Sequence, residues 1–148
     1  MAFTAEEVAA RAEISDVISR YSVHIDSGEF ERLQALFAED AVFDIVPVPD
    51  PVFMKVPIRG GRAIRDALEG RYRVVIKEAQ RRHVNTSTIF DELSADHAAT
   101  RTFLTVLSVP KGPGGLELRG TGVYKDKLVR KDGVWRFQER LVMMDMHL

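Results

Sequence analysis

The chain has 148 residues, of which 45% are hydrophobic, with 21 Lys and Arg against 22 Asp and Glu, and no cysteine. That length fits one domain, residues 1–148, with enough apolar side chains to bury a core. A net charge of −1 gives no electrostatic basis for binding nucleic acid or an anionic membrane, and the missing cysteines exclude disulfides, thiolate nucleophiles and cysteine-ligated metal. The expected partner is small or neutral. Met1 to Glu7 carries acids and no long apolar run, which predicts neither a signal peptide nor a transmembrane span and makes the cytoplasm the expected compartment.

From Thr4 the pattern is helical. Thr4 can cap, Glu6 and Glu7 suit the first turn, and Val8, Ile14, Val17, Ile18, Tyr21 and Ile25 recur at steps of three and four up to Ser27-Gly28. A second helix is predicted from Glu29 to Ala38, burying Phe30, Leu33, Leu36 and Phe37. A strand follows, Ala41 to Val46, and ends in a stretch with Pro47, Pro49, Pro51 and Pro57 that cannot sit inside a sheet. Because that stretch also carries Val52, Phe53 and Met54, it reads as a flap over something hydrophobic.

After Gly60-Gly61 a third helix is predicted, Arg62 to Glu69, stopping at Gly70. Residues 71–80 fit neither period. The second half reads as a meander of strands, Arg82 to Phe90, His97 to Val109, Leu116 to Val129 and Val134 to Met144, divided by Ser94-Ala95-Asp96, Lys111 to Gly115 and Lys131-Asp132-Gly133. Helices followed by antiparallel strands imply an α+β domain, with the helices on one face of a curved sheet and a pocket between them. An open curved sheet leaves an outer face to cover, so a homodimer or homotrimer is expected.

Three residues stand out chemically. Tyr21 and Asp26 close the first helix, and His83 opens the strand Arg82-His83-Val84-Asn85-Thr86-Ser87-Thr88-Ile89. An imidazole held by a carboxylate can take a proton, and a nearby phenol can hydrogen-bond the oxygen on which charge develops. Each has a plainer role as well. Asp26-Ser27-Gly28-Glu29 has capping-box spacing and would start the second helix; His83 would be a strand-edge residue in a basic run; Tyr21 would be a core residue with a satisfied hydroxyl. Tyr21 and Asp26 lie about 140° apart on an ideal helix of ~3.6 residues per turn, so both reach one pocket only where it is wide or the helix ends. If His83 points inward, alternation turns Asn85, Ser87 and Ile89 inward too.

His24 is a reserve candidate, while His97 and His147 are expected in solvent. No HxxxH, HxH or HExxH spacing occurs, so no metal site is expected. Gly60-Gly61 and Gly112-Pro113-Gly114-Gly115 lack a phosphate-loop lysine in register and read as turns. Arg71, Arg73, Lys77, Arg81 and Arg82 form one basic cluster, expected as a solvated face or a subunit contact. Met143, Met144 and Met146 are adaptable apolar filling.

Arg20-Tyr21, Asp26 to Leu33, Leu36 to Phe43, Gly60 to Leu68, Arg82-His83 and Asp132 to Phe137 together resemble the SnoaL-like branch of the NTF2-like superfamily, over nearly the whole chain. The resemblance implies a cone of curved, mixed or antiparallel sheet with three N-terminal helices enclosing a hydrophobic pocket. It also implies an Asp-His dyad, at Asp26 and His83, of the kind kept by scytalone dehydratase, bile-acid dehydratase and hexachlorocyclohexane dehydrochlorinase, with Tyr21 where bile-acid dehydratase and ketosteroid isomerase keep a tyrosine. Departures are visible. Ile25 and Ile45 stand where scytalone dehydratase has tyrosines and Ser108 where it has a second histidine, and Ile45 replaces the isomerase's carboxylate. Asp44, one residue away on a strand, faces oppositely.

The resulting expectation is a lyase of the dehydratase type, with no cofactor, acting on a small hydrophobic, cyclic molecule. Phe43, Ile45, Phe53, Met54, Leu104, Val106, Ser108 and Tyr124 would shape its cavity. The alternatives are a non-catalytic ligand-binding or structural subunit of the same superfamily, and a polyketide cyclase or isomerase.

Overall fold

The computed structural model describes residues 2–146; His147 lies outside them. Three helices, α1 (Ala5–Ser27), α2 (Phe30–Gln34) and α3 (Gly61–Glu78), cover one face of a sheet built from β1 (Phe37–Val46), β2 (Ile58–Arg59), β3 (Ala79–Leu93), β4 (His97–Pro110), β5 (Glu117–Lys131) and β6 (Val134–Met144). The sheet order is β2-β1-β6-β5-β4-β3. All pairings are antiparallel except β1 on β6. It is an α+β fold with a curved, unclosed sheet.

Helix α1 starts at a full capping box: Thr4 Oγ1 accepts from Glu7 N, and the Glu7 carboxylate accepts from Thr4 N. Its stripe of Ala10, Ile14, Ile18, Tyr21 and Ile25 is buried against the sheet. In the last turn Ser22, His24 and Asp26 are buried as well, because α2, α3 and β3 surround that end. Gly28 terminates the helix at φ 73° and ψ 25°, where its N–H donates to His24 O. Among the described residues no helix is long and apolar enough to cross a membrane.

Several expected boundaries shift for tertiary reasons. The second helix is a short turn, Phe30–Gln34, and residues 37–46 form β1, whose Phe37 pairs in parallel with Phe137 while Phe137 N donates to Leu36 O. Strand pairing against β6 outweighs the local helical pattern there. Helix α3 does not stop at Gly70. It continues to Glu78, because Ile64, Leu68, Tyr72 and Ile76, spaced four apart, keep packing against the core, while at Gly70 even an added Cβ would meet nothing within 4 Å. The chain passes directly from α3 into β3 at the extended residue Ala79. Strand β3 breaks its alternation at Ser87, which has φ 55°. The register shifts there, so Thr88 and Phe90 turn inward and Ile89 is half exposed.

The core joins α1 to the inner faces of β1, β4, β5 and β6, with Phe43, Phe137, Tyr124, Trp135 and Leu128 almost fully buried. Two glycines on β5 let β6 approach closely. A Cβ on Gly122 would lie 2.3 Å from the Met143 carbonyl oxygen, whereas one on Gly120 would meet the movable Met144 Cε at 3.0 Å. Gly122→Ala should therefore lower stability by about 1–3 kcal/mol, with Gly120→Ala costing visibly less, as read from urea unfolding midpoints of the two variants.

Candidate functional site

A cavity of about 480 Å³ lies between the sheet and the helices. Its walls include Tyr21 from α1, Phe43 and Ile45 from β1, Leu104 and Val106 from β4, Tyr124 from β5, and Phe53 and Met54 from the proline-bearing segment. That segment covers the cavity with Met54 buried at 5% exposure and Phe53 half exposed at 57%. Ser108 is a correction. It is buried on the same face of β4 as Leu104 and Val106, yet it does not line the cavity, although its cross-strand partner Arg81 does.

The Asp26 carboxylate grips one residue with both oxygens. Oδ1 lies 2.6 Å from His83 Nδ1 and Oδ2 accepts from His83 N at 2.7 Å. Both side chains are almost fully buried, at 6% and 5% exposure. The Nδ1 proton is directed to the carboxylate, which leaves Nε2 as the acceptor nitrogen of a ring that lines the cavity. Asp26 sits inside α1 and makes no cap for α2, whose N-cap is Glu29 without a side-chain hydrogen bond. Nor does Asp26 line the cavity. It stands behind His83 while Tyr21 faces inward, which is how two residues five apart on one helix serve one site.

Neighbours of His83 along β3 do not follow it into the cavity. Asn85 donates to Ser22 Oγ at 2.7 Å and fastens β3 to α1, Ser87 carries the bulge, and Ile89 points away. His24 is occupied elsewhere, with Nδ1 2.6 Å from Glu29 Oε2, and His97 pairs with Asp96 in solvent. Asp44 uses its carboxylate to accept from Ile45 N and is not part of the cavity wall.

Tyr72 belongs to the site although its segment had no readable period. Its hydroxyl lies 3.4 Å from His83 Nε2, the cavity-facing nitrogen. The signal for it was the four-residue spacing Ile64, Leu68, Tyr72, Ile76, which carries α3 past Gly70. Two members of the basic cluster also turn inward. Arg71 and Arg81 line the cavity near Tyr72, with Arg71 Cζ 5.9 Å and Arg81 Cζ 5.8 Å from its ring centroid. Met144 and Met146 reach the cavity wall from the end of β6.

Beneath the cavity, Arg140 on β6 and Asp126 on β5 face each other across the strand pair and form a bidentate ion pair, both bonds 2.8 Å, with no solvent exposure. The guanidinium carbon lies 4.0–4.1 Å from the ring centroids of Tyr21, Tyr124 and Phe137. Sequence periodicity gave no warning of a buried charge pair. Leaving one partner alone in this apolar setting costs far more than the pair contributes.

Burial pushes the Tyr21, Tyr72 and Tyr124 phenols above the ordinary tyrosine range, with Arg140 pulling back on Tyr21 and with Arg71 and Arg81 pulling back on Tyr72. All three therefore remain hydrogen-bond donors through the neutral range. Among the described residues no three His, Asp or Glu side chains cluster as metal ligands.

A family model described as the SnoaL-like domain matches residues 6–141. The architecture is that of NTF2-like proteins with a cystatin-like fold. A Mycobacterium tuberculosis protein of unknown function superimposes with a TM-score of 0.79 at 26% identity, over 97% of this chain and 76% of that one. A candidate scytalone dehydratase from Novosphingobium aromaticivorans gives 0.78 at 25% identity, over 97% and 89%. A hexachlorocyclohexane dehydrochlorinase from Novosphingobium barchaimii gives 0.77 at 20% identity, over 97% and 91%, a likeness of fold. No curated protein matches the sequence significantly.

Two measurements check the site's electrostatics. Asp126→Leu alone should cost about 3–5 kcal/mol, and adding Arg140→Met should recover most of that loss, as read by chemical denaturation. With all three phenols raised, the native protein should develop little tyrosinate absorbance near pH 10, where free tyrosine is about half ionised. Unfolding in denaturant should release it. Because the folded state keeps protons that the unfolded chain loses, stability should be level below that pH and fall as pH rises through it.

Proposed function

This chain belongs to the SnoaL-like domain family, and on that footing we propose that it is a dehydratase-type lyase acting on a small hydrophobic, cyclic substrate with an acidifying carbonyl. The observation that carries the reading is the buried 2.6 Å contact between Asp26 Oδ1 and His83 Nδ1, with the opposite ring nitrogen at the cavity wall. A buried carboxylate that fixes the tautomer of a cavity-lining imidazole is the arrangement a proton acceptor needs.

In this scheme His83 Nε2 removes the proton from the carbon beside the carbonyl. The electron pair left behind forms the new double bond as the carbon–oxygen bond at the next carbon breaks, and the departing hydroxide takes up the proton held by the imidazolium, so the products are alkene and water. Asp26 fixes the tautomer and stabilises the imidazolium while it lasts. A phenol donates to the carbonyl oxygen as negative charge develops there. Tyr21 holds that role from the cavity wall, and Tyr72, 3.4 Å from Nε2, is a second donor beside the base. Phe43, Ile45, Leu104 and Val106 exclude water around the reacting carbons.

The test is turnover of a panel of cyclic β-hydroxy ketones, followed by appearance of the conjugated enone. His83→Ala and Asp26→Asn should each lower kcat/KM by roughly 10²–10⁴ while the circular dichroism spectrum is retained. Tyr21→Phe and Tyr72→Phe, measured side by side, identify the phenol that meets the oxyanion. Full activity in both the His83 and Asp26 variants overturns the proposal.

A further inference from the structure

We propose that the cavity accepts an apolar ligand bearing an anionic head group, and that Arg71 and Arg81 are the cations that receive it. The inference rests on the cavity being the ligand site, as in the reading above, but it concerns recognition and not proton transfer.

The cavity wall contains three arginines, Arg71, Arg81 and Arg119, and no Asp or Glu. Arg119 is already answered by Glu117 at 3.3 Å, with about half its side chain in solvent. Arg71 and Arg81 differ. On α3 itself, Arg65 pairs with Glu31, Asp66 and Glu69, and Arg73 pairs with Glu69, yet Arg71 and Arg81 form no ion pair among the described residues. Both are only partly exposed, and Arg81 Nε is buried without a hydrogen-bond partner. Partly desolvated guanidiniums with free donors are unfavourable unless something anionic arrives to meet them.

Their placement says where that anion would sit. Arg71 lies 5.6 Å from the Phe53 ring in the covering segment and, like Arg81, just under 6 Å from the Tyr72 ring. Tyr72 in turn touches His83 Nε2. The head group is thus held beside the base, and the apolar body extends toward Phe43, Ile45, Leu104 and Val106. The chain's overall charge of −1 hides this local excess of positive charge. Guanidinium forks bind both carboxylates and phosphates in bidentate geometry, so an anionic oxyacid is the shared chemistry.

Calorimetric titration with naphthoate, naphthyl phosphate and neutral naphthamide tests the assignment on the full chain. At least one anion should bind at least ~10-fold more tightly than the amide, with the advantage shrinking as salt is added. The carboxylate and phosphate arms distinguish the two head groups. Arg71→Gln and Arg81→Gln should each erode the anion's advantage, and together abolish it, while affinity for the amide is unchanged. His83→Ala should keep the advantage whatever it does to turnover. Loss of selectivity therefore reports on the arginines, and loss of turnover in His83→Ala reports on the base. Equal binding of the three compounds, no binding at millimolar concentration, or a preference that survives the double substitution overturns the proposal.

Discussion

Everything at this site hangs on the double grip of Asp26 on His83. One oxygen takes the ring N–H and the other takes the main-chain N–H of the same residue, so the imidazole is oriented relative to its own backbone and not by a mobile neighbour. Hydrogen bonds to a charged group are worth about 1.5–3 kcal/mol each. Two of them, buried, offset the rotameric freedom that both side chains give up. The grip also joins the last turn of α1 to the start of β3, 57 residues later. The other ring nitrogen, beside the Tyr72 hydroxyl, is then positioned by secondary structure on both sides, which holds geometry more tightly than loops do.

The remainder of the cavity divides into unlike halves. Its floor is rigid: Arg140, saturated on one side by Asp126, is packed between three aromatic rings that cannot shift without exposing the ion pair's desolvation cost. Elsewhere its wall carries Arg71, Tyr72 and Arg81, Phe53 and Met54 from the covering segment, and the thioether side chains of Met144 and Met146. Adaptable side chains and cations without an ion-pair partner thus belong to the wall, while the buried ion pair and its rings lie beneath it.

Much of this was legible from residue order alone. The capped helix α1, the turns after β3, β4 and β5, and β6 from Val134 to Met144 all follow from local chemistry that tertiary structure did not overrule. Asp26 and His83 could be paired across a long separation only through the family pattern, since each has an ordinary local role. What stayed hidden was decided at a distance. Leu36 to Ala38 look helical until β6 offers Phe37 a parallel partner. Gly70 looks like a stop until the packing of Tyr72 and Ile76 carries α3 through it. Ser87 reverses the facing of β3 with no glycine to announce it. Arg71 and Arg81 looked like solvated charges, because composition cannot say which members of a basic run turn inward.

The one-sidedness of His83 has a stereochemical meaning for the proposed reaction. A ring pinned through one nitrogen presents the other from a single direction, so of two enantiotopic hydrogens on a bound methylene only one lies within its reach. The hydroxyl protonated by that same ring must then depart from the matching face. In the proposed reaction the pocket would accordingly dictate syn geometry and handedness together, and a mirror-image substrate that fits the apolar walls equally well would rest there unreacted.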